Sequence, residues 1–223
     1  MQKRWPTPQF LSLLFFALCL PGCTHAPVTT FSRPASFQAK NIPQLYPLHQ
    51  GWQWVYQTRQ KVGDGPERPG AEHRFTIVEC SERGGKTEAV MERRYGNFQA
   101  PSTLIERTED EVRLSRYGQP EQGSITVLRF PLSVGNSWPG RQWEQAKEII
   151  SFLGTESIDV PAGRYLGHHL EHRIEYQNGR TDRLHYWYAP GVGLVKAVEG
   201  LTVDLGQGPQ YREVTTDLAE LKR

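Results

Sequence analysis

The sequence predicts an all-β protein, an antiparallel meander of about a dozen strands forming a curved sheet, an open barrel or a sandwich. Three observations carry this prediction. From Gly51 onward, β-branched and aromatic residues alternate with polar ones at a period of two, in short runs separated by Gly, Asn or Asp. Helical patterning is confined to DLAELKR at Asp217–Arg223, where Thr216 is placed to cap a turn or two. The word YPLHQGWQW at Tyr46 returns as FPLSVGNSW at Phe130, which reads as a duplication of β halves.

The chain opens on a targeting segment, not a strand. Lys3 and Arg4 precede the apolar run FLSLLFFALCL, Phe10–Leu20, and LPGC ends at Cys23. The run is too short for a bilayer-spanning helix, which needs about 20 apolar residues. Leu20, Gly22 and Cys23 stand where a bacterial lipobox places its Leu, small residue and lipidated Cys. Residues 1–22 therefore read as a lipoprotein signal peptide, and Cys23 as an acylated N-terminus of the palmitate-bearing kind. Thr24 is not the Asp of an inner-membrane retention signal, so the expected address is the periplasmic side of the outer membrane.

Removing the signal takes the basic residues from 26 to 24, equal to the 24 acidic ones. A neutral chain without a basic run excludes a nucleic-acid partner, whose phosphates demand clustered Lys and Arg. The bilayer is then held through the lipid on Cys23 alone. Cys19 leaves with the signal, so Cys80 has no internal disulfide partner and reads as a small buried residue. Residues 23–45, rich in Pro and hydroxyl side chains, form a tether that holds the domain about 25 Å from the membrane.

The expected domain, 46–223, consists of related halves at about 46–125 and 130–216. In each copy of the repeated word a Pro (Pro47, Pro131) pre-sets extended backbone, a Gly (Gly51, Gly135) permits a tight bend, and a Trp (Trp54, Trp138) plugs the start of a strand. Gly84 with Gly85, Glu109 with Asp110, and Asn178 with Gly179 mark hairpins. Neither half is expected to bury its face alone, so the halves form one domain.

The second half continues into VPAGRY at Val160 and YWYAPGVGLVK at Tyr186. With the YPLxxGxxW opening, these motifs resemble an uncharacterised family of bacterial envelope lipoproteins, some of them TapB-like. The resemblance spans most of residues 45–200. It implies export and an all-β fold and brings no catalytic residue with it.

The stretch richest in chemistry is RYLGHHLEHRIEYQNGRTDRLHYWYA. Reading Asn178-Gly179 as a two-residue loop sets His172 opposite His185, on a face shared with Leu170, Ile174, Arg183 and Trp187 and away from the carboxylates. The pair is close enough to share a metal but lacks a third ligand, so His172 and His185 are expected as partly buried, hydrogen-bonded residues able to contact a ligand, with a metal site as the lesser alternative. No metal, cofactor or catalytic residue is assigned. GxSxG, HExxH, a phosphate loop and CxxC are all absent. The expected function is binding or scaffolding in the envelope, toward a protein or an apolar ligand. The alternative is an envelope hydrolase acting on glycan or peptide. A deep apolar concavity favours the first; His172 with an acid at its side favours the second.

Overall fold

One helical turn, α1 (Ile42–Leu45), leads into the first long strand of a computed structural model that describes residues 42–119, 123–204 and 208–223. The signal segment, Cys23 and the tether up to residue 41 lie outside the described residues. The strands are β1 (Gln53–Val62), β2 (Arg68–Pro69), β3 (His73–Arg83), β4 (Lys86–Tyr95), β5 (Phe98–Arg107), β6 (Glu111–Arg116) and β7 (Ser124–Arg129). They continue as β8 (Ser137–Gln142), β9 (Ala146–Val160), β10 (Gly163–Tyr176), β11 (Thr181–Ala189), β12 (Gly193–Asp204) and β13 (Pro209–Lys222).

All thirteen belong to one antiparallel sheet in the order β7-β6-β5-β4-β3-β1-β13-β12-β11-β10-β9-β8, with β2 attached to β1. Nearest neighbours in sequence are neighbours in space except at the centre, where β1 pairs with β13 from Gln53↔Lys222 to Val62↔Arg212. Among the described residues, seven of the eleven ladders along this path contain a register shift. Each bulge adds local twist and bend, so the sheet curls instead of lying flat. The result is a nearly closed barrel with one unsealed seam, between β7 and β8. Trp138 bridges that seam by donating its indole N–H to the Thr126 carbonyl at 2.8 Å.

The interior is apolar because alternate residues of every long strand face it. Tyr56, Ile77, Ile105, Val112, Leu128, Ile150, Leu170, Val195 and Leu218 are all buried there, with Leu45 and Leu48 packed in from the segment before β1. No described helix is long and apolar enough to cross a membrane.

The two copies of the repeated word fold into matching corners. Trp52 N–H bonds to the His49 carbonyl at 3.1 Å, and Asn136 N–H to that of Ser133 at 2.9 Å. Gly51 N–H meets the Ile77 carbonyl at 2.8 Å and Gly135 N–H that of Phe152 at 3.2 Å; both glycines have φ near +90°, at +86° and +90°. The return bonds run from Ile77 N–H to Trp52 and from Phe152 N–H to Asn136, each at 3.0 Å. Trp54 and Trp138 are both buried, and each donates its indole N–H to a backbone carbonyl, Trp54 to Val192 at 2.6 Å. The prolines differ: Pro47 is buried and Pro131 exposed.

Three expectations give way. DLAELKR is not helical: Leu218 pairs with Tyr56 and Leu221 with Trp54, because the β1 edge offers this segment a complete ladder. The pattern of WEQAKEIISFL and ESIDV predicts a separate strand on either side of Gly154, but the two are one strand, β9, continuous through that glycine. Strict alternation along FTIVECSE places Cys80 on the face of Thr76 and Val78, but the bulge between Ile77 and Glu79 turns it to the other face, opposite buried Ala89. Its thiol lies 3.6 Å from the Leu48 carbonyl, and burial raises its pKa.

Candidate functional site

The β10–β11 hairpin determines which histidines face inward. Its loop holds three residues, Gln177, Asn178 and Gly179, with Tyr176 N–H bonded to the Arg180 carbonyl, so Asn-Gly does not act as a two-residue turn. The pairing is therefore His172↔Leu184 and Glu171↔His185. A slip of one residue exchanges the faces of a strand. His172 and His185 are on opposite faces, correcting the expected pair: His172 joins Ile174, Leu184, Tyr186 and Tyr188 inside. His185 lies outside, its Nδ1 3.0 Å from Nε2 of His169, whose ring stacks on Trp187 at 4.3 Å. Glu156 closes this outer cluster, 3.0 Å from His169 Nδ1 and 2.7 Å from the Trp187 indole nitrogen.

Inside the barrel is a cavity of about 430 Å³, within the range of roughly 300–1,000 Å³ found for small-molecule sites. Much of its wall is apolar or aromatic: Leu48, Trp54, Phe75, Ile77 and Met91 on one side, Ile125, Val127, Ile174, Leu184 and Leu194 on the other. It reaches the seam strands through Leu114, Ile125, Val127 and Arg141, with half-exposed Trp143 just beyond β8.

A few polar groups interrupt this lining. Glu148 and His172 are diagonal neighbours on β9 and β10, Glu148 opposite Ile174 and His172 opposite Ile150, and Oε1 lies 2.8 Å from Nδ1. The second carboxylate oxygen accepts the Arg141 N–H at 2.8 Å. Gly140 makes the room: a Cβ there would lie 2.6 Å from Glu148 Oε2. Burial alone would raise the Glu148 pKa, but the His172 and Arg141 hydrogen bonds and their positive charges outweigh it and hold the carboxyl below its ordinary value. Nε2 of His172 is buried and has no partner among the described residues. The sequence expectation that His172 lacks an acid on its own face is thus overturned by Glu148. No hydroxyl or thiol among the described residues is hydrogen-bonded to that imidazole, so there the pair has a base and its orienting acid without a nucleophile beside it.

Next to it Tyr186 donates its hydroxyl to Glu199 at 2.7 Å. Burial, followed by the charge of Glu199, pushes the Tyr186 pKa far above its ordinary value. On the opposite wall stands Arg93, on β4; burial raises the pKa values of Tyr95 and Tyr46, that of Tyr46 to about 12, against the pull of the Arg93 charge. The outer and inner clusters give the described residues no group of three or more His, Cys, Asp or Glu able to hold a metal.

Sequence reasoning named His172 but missed Glu148, Arg93, Tyr186 and Glu199. The signal was present: Ala89, Met91, Arg93 and Tyr95 alternate along one face of β4, and Glu148, Ile150 and Phe152 along one face of β9. A single charge within an apolar stripe marks a polar group facing a cavity or a buried partner.

No family model matches the chain, and no curated protein matches its sequence. Solved structures do match. A Bacteroides fragilis protein described as exported, with a YmcC-like fold, superposes with a TM-score of 0.53 at 14% identity, over 80% of this chain and 99% of that one. A Parabacteroides distasonis protein described as a lipoprotein gives 0.50 at 18% identity, over 80% and 98%. At these identities the likeness is one of fold: an all-β chain curled into a barrel with an open seam, spanning nearly the whole of both neighbours.

Proposed function

We propose that the chain is a lipid-anchored envelope protein whose β domain binds an apolar ligand inside the barrel. The observation that carries this reading is the largely apolar cavity, lined by Trp54 and reaching strands at the seam. Core side chains of an ordinary domain pack to crystal density, so a void of this size is a built feature. A neutral naphthylamine dye should gain fluorescence on the purified chain. Ala197→Trp, which fills the cavity from β12, should abolish the gain; a dye response identical in both proteins removes the cavity as the site.

Anchoring rests on the LPGC boundary at Cys23, and the names of the two structural neighbours support export. Two or more acyl chains make attachment effectively stable, on the periplasmic side of the outer membrane in this reading. Labelling with a clickable palmitate analogue should mark the wild type and leave Cys23→Ser dark. Equal label in both would remove the anchor.

A second reading, hydrolysis in the same cavity, is favoured by one observation, the Glu148–His172 pair, which is built as a general base and its orienting acid. The absence of a hydroxyl or thiol partner for His172 ranks it below binding.

A further inference from the structure

We propose that the ligand of this cavity is an amphiphile with an acidic head, a long-chain oxyanion whose charge is received at Arg93. The inference rests on the apolar-binding reading and goes beyond it by naming the class of head group. It comes from an imbalance of donors and acceptors. On the β10–β12 wall the polar groups satisfy one another: His172 with Glu148, Tyr186 with Glu199. The β4 wall is different. Arg93 lines the cavity with no carboxylate at ion-pair distance among the described residues, and its buried Nε has no acceptor.

The neighbours of Arg93 add only donors. Tyr95 and Tyr46 line the same cavity, and neither hydroxyl has a carboxylate or carbonyl acceptor among the described residues. Burial keeps both phenols protonated by raising their pKa values. A guanidinium and two phenols lining the same apolar cavity leave donors in excess of acceptors. Desolvating a cation without a partner is costly, and a carboxylate or phosphate oxygen supplies the missing acceptors in the fork geometry that Arg favours. Leu48, Ile77 and Met91 on the adjoining wall then take the chain.

The test compares ligands of equal chain and different head on the purified full chain, by displacement of the neutral dye. Hexadecanoic acid should bind at least about tenfold more tightly than hexadecanol, since a guanidinium bonds a charged oxygen more strongly than a hydroxyl. Hexadecyl phosphate separates the sources: tighter binding than the acid indicates a lipid phosphate, weaker binding a free fatty acid. Arg93→Met should erase the preference of acid over alcohol and Arg93→Lys should restore part of it. Equal affinity of acid and alcohol for the wild type, with the dye still displaced, overturns the head-group inference and leaves apolar binding standing. Failure of either compound to displace the dye removes both.

Discussion

His172 shows how much one residue's environment decides. Its side chain is 6% exposed and that of Glu148 7%, so each is the other's solvent. Removing one partner of a buried pair strands the other, at a typical cost of about 3–5 kcal/mol. His172→Ala should therefore lower the denaturation midpoint sharply, and His172→Leu combined with Glu148→Met should recover most of the loss. A single variant as stable as wild type would mean that Glu148 finds water or Arg141 instead. The sequence made His172 a candidate but placed its partner wrongly. The reason is local: Asn178-Gly179 is the commonest two-residue hairpin word, and here it closes a three-residue loop with Gly179 at φ +82°. The one-residue difference moved Tyr186, Tyr188 and Asp182 to the face of His172 and sent His185 outside.

At the level of elements, the meander was legible because its strands are long, β-branched and bounded by Gly-rich turns. The repeated word located both corners, since each needs an unhindered left-handed residue and a large plug. Gly51 and Gly135 have no other group within 4 Å of where a Cβ would stand, so the backbone conformation is the only demand on them. Replacing either by Ala should cost roughly 1–2 kcal/mol, the penalty for an L-residue at positive φ. Equal losses of thermal stability are expected from the two variants because the corners share one bonding pattern. A neutral Gly51→Ala would show that the bend relaxes. DLAELKR was misread because its propensity is helical and its partner, β1, lies 158 residues away in the Arg59–Asp217 contact. No local window contains that ladder. Short β2 and β8 were missed too: Pro69 and Pro139 lie within them, and strand patterns discount proline.

Across the whole molecule, the titratable groups define a window of stability. Burial lowers the pKa values of His73 and His168 below their ordinary 6.5. It does the same for His169, aided by the positive charge of His185. The unfolded chain therefore binds protons at a higher pH than the folded one, and stability is lost as pH falls below about 6.5. Glu148 adds to this: its pKa is depressed in the fold, so its contribution is present above the ordinary 4.5 and disappears as pH falls through the folded value. At the alkaline end Tyr46, Tyr56, Tyr186 and Tyr188 are raised above 10, so stability falls as pH rises past 10. Melting temperature measured from pH 4 to 11 should form a plateau between about 6.5 and 10 with both flanks descending. A curve that stays flat from pH 6.5 down to 5 would show that the histidines titrate freely.

The unsealed seam has a topological consequence. Every backbone ladder survives if the polypeptide is opened between Phe130 and Asn136, because β7 and β8 share none. The first and last described segments, meanwhile, meet: Gln53 pairs with Lys222, and Gly191 holds both Gln44, through its N–H, and Arg223, through its carbonyl. Joining residue 223 to residue 42 by a short linker and starting the chain at β8 gives a circular permutant that runs up and down the sheet from one lip of the seam to the other. In that chain the first strand and the last flank the opening, and the order along the sheet becomes the order of synthesis.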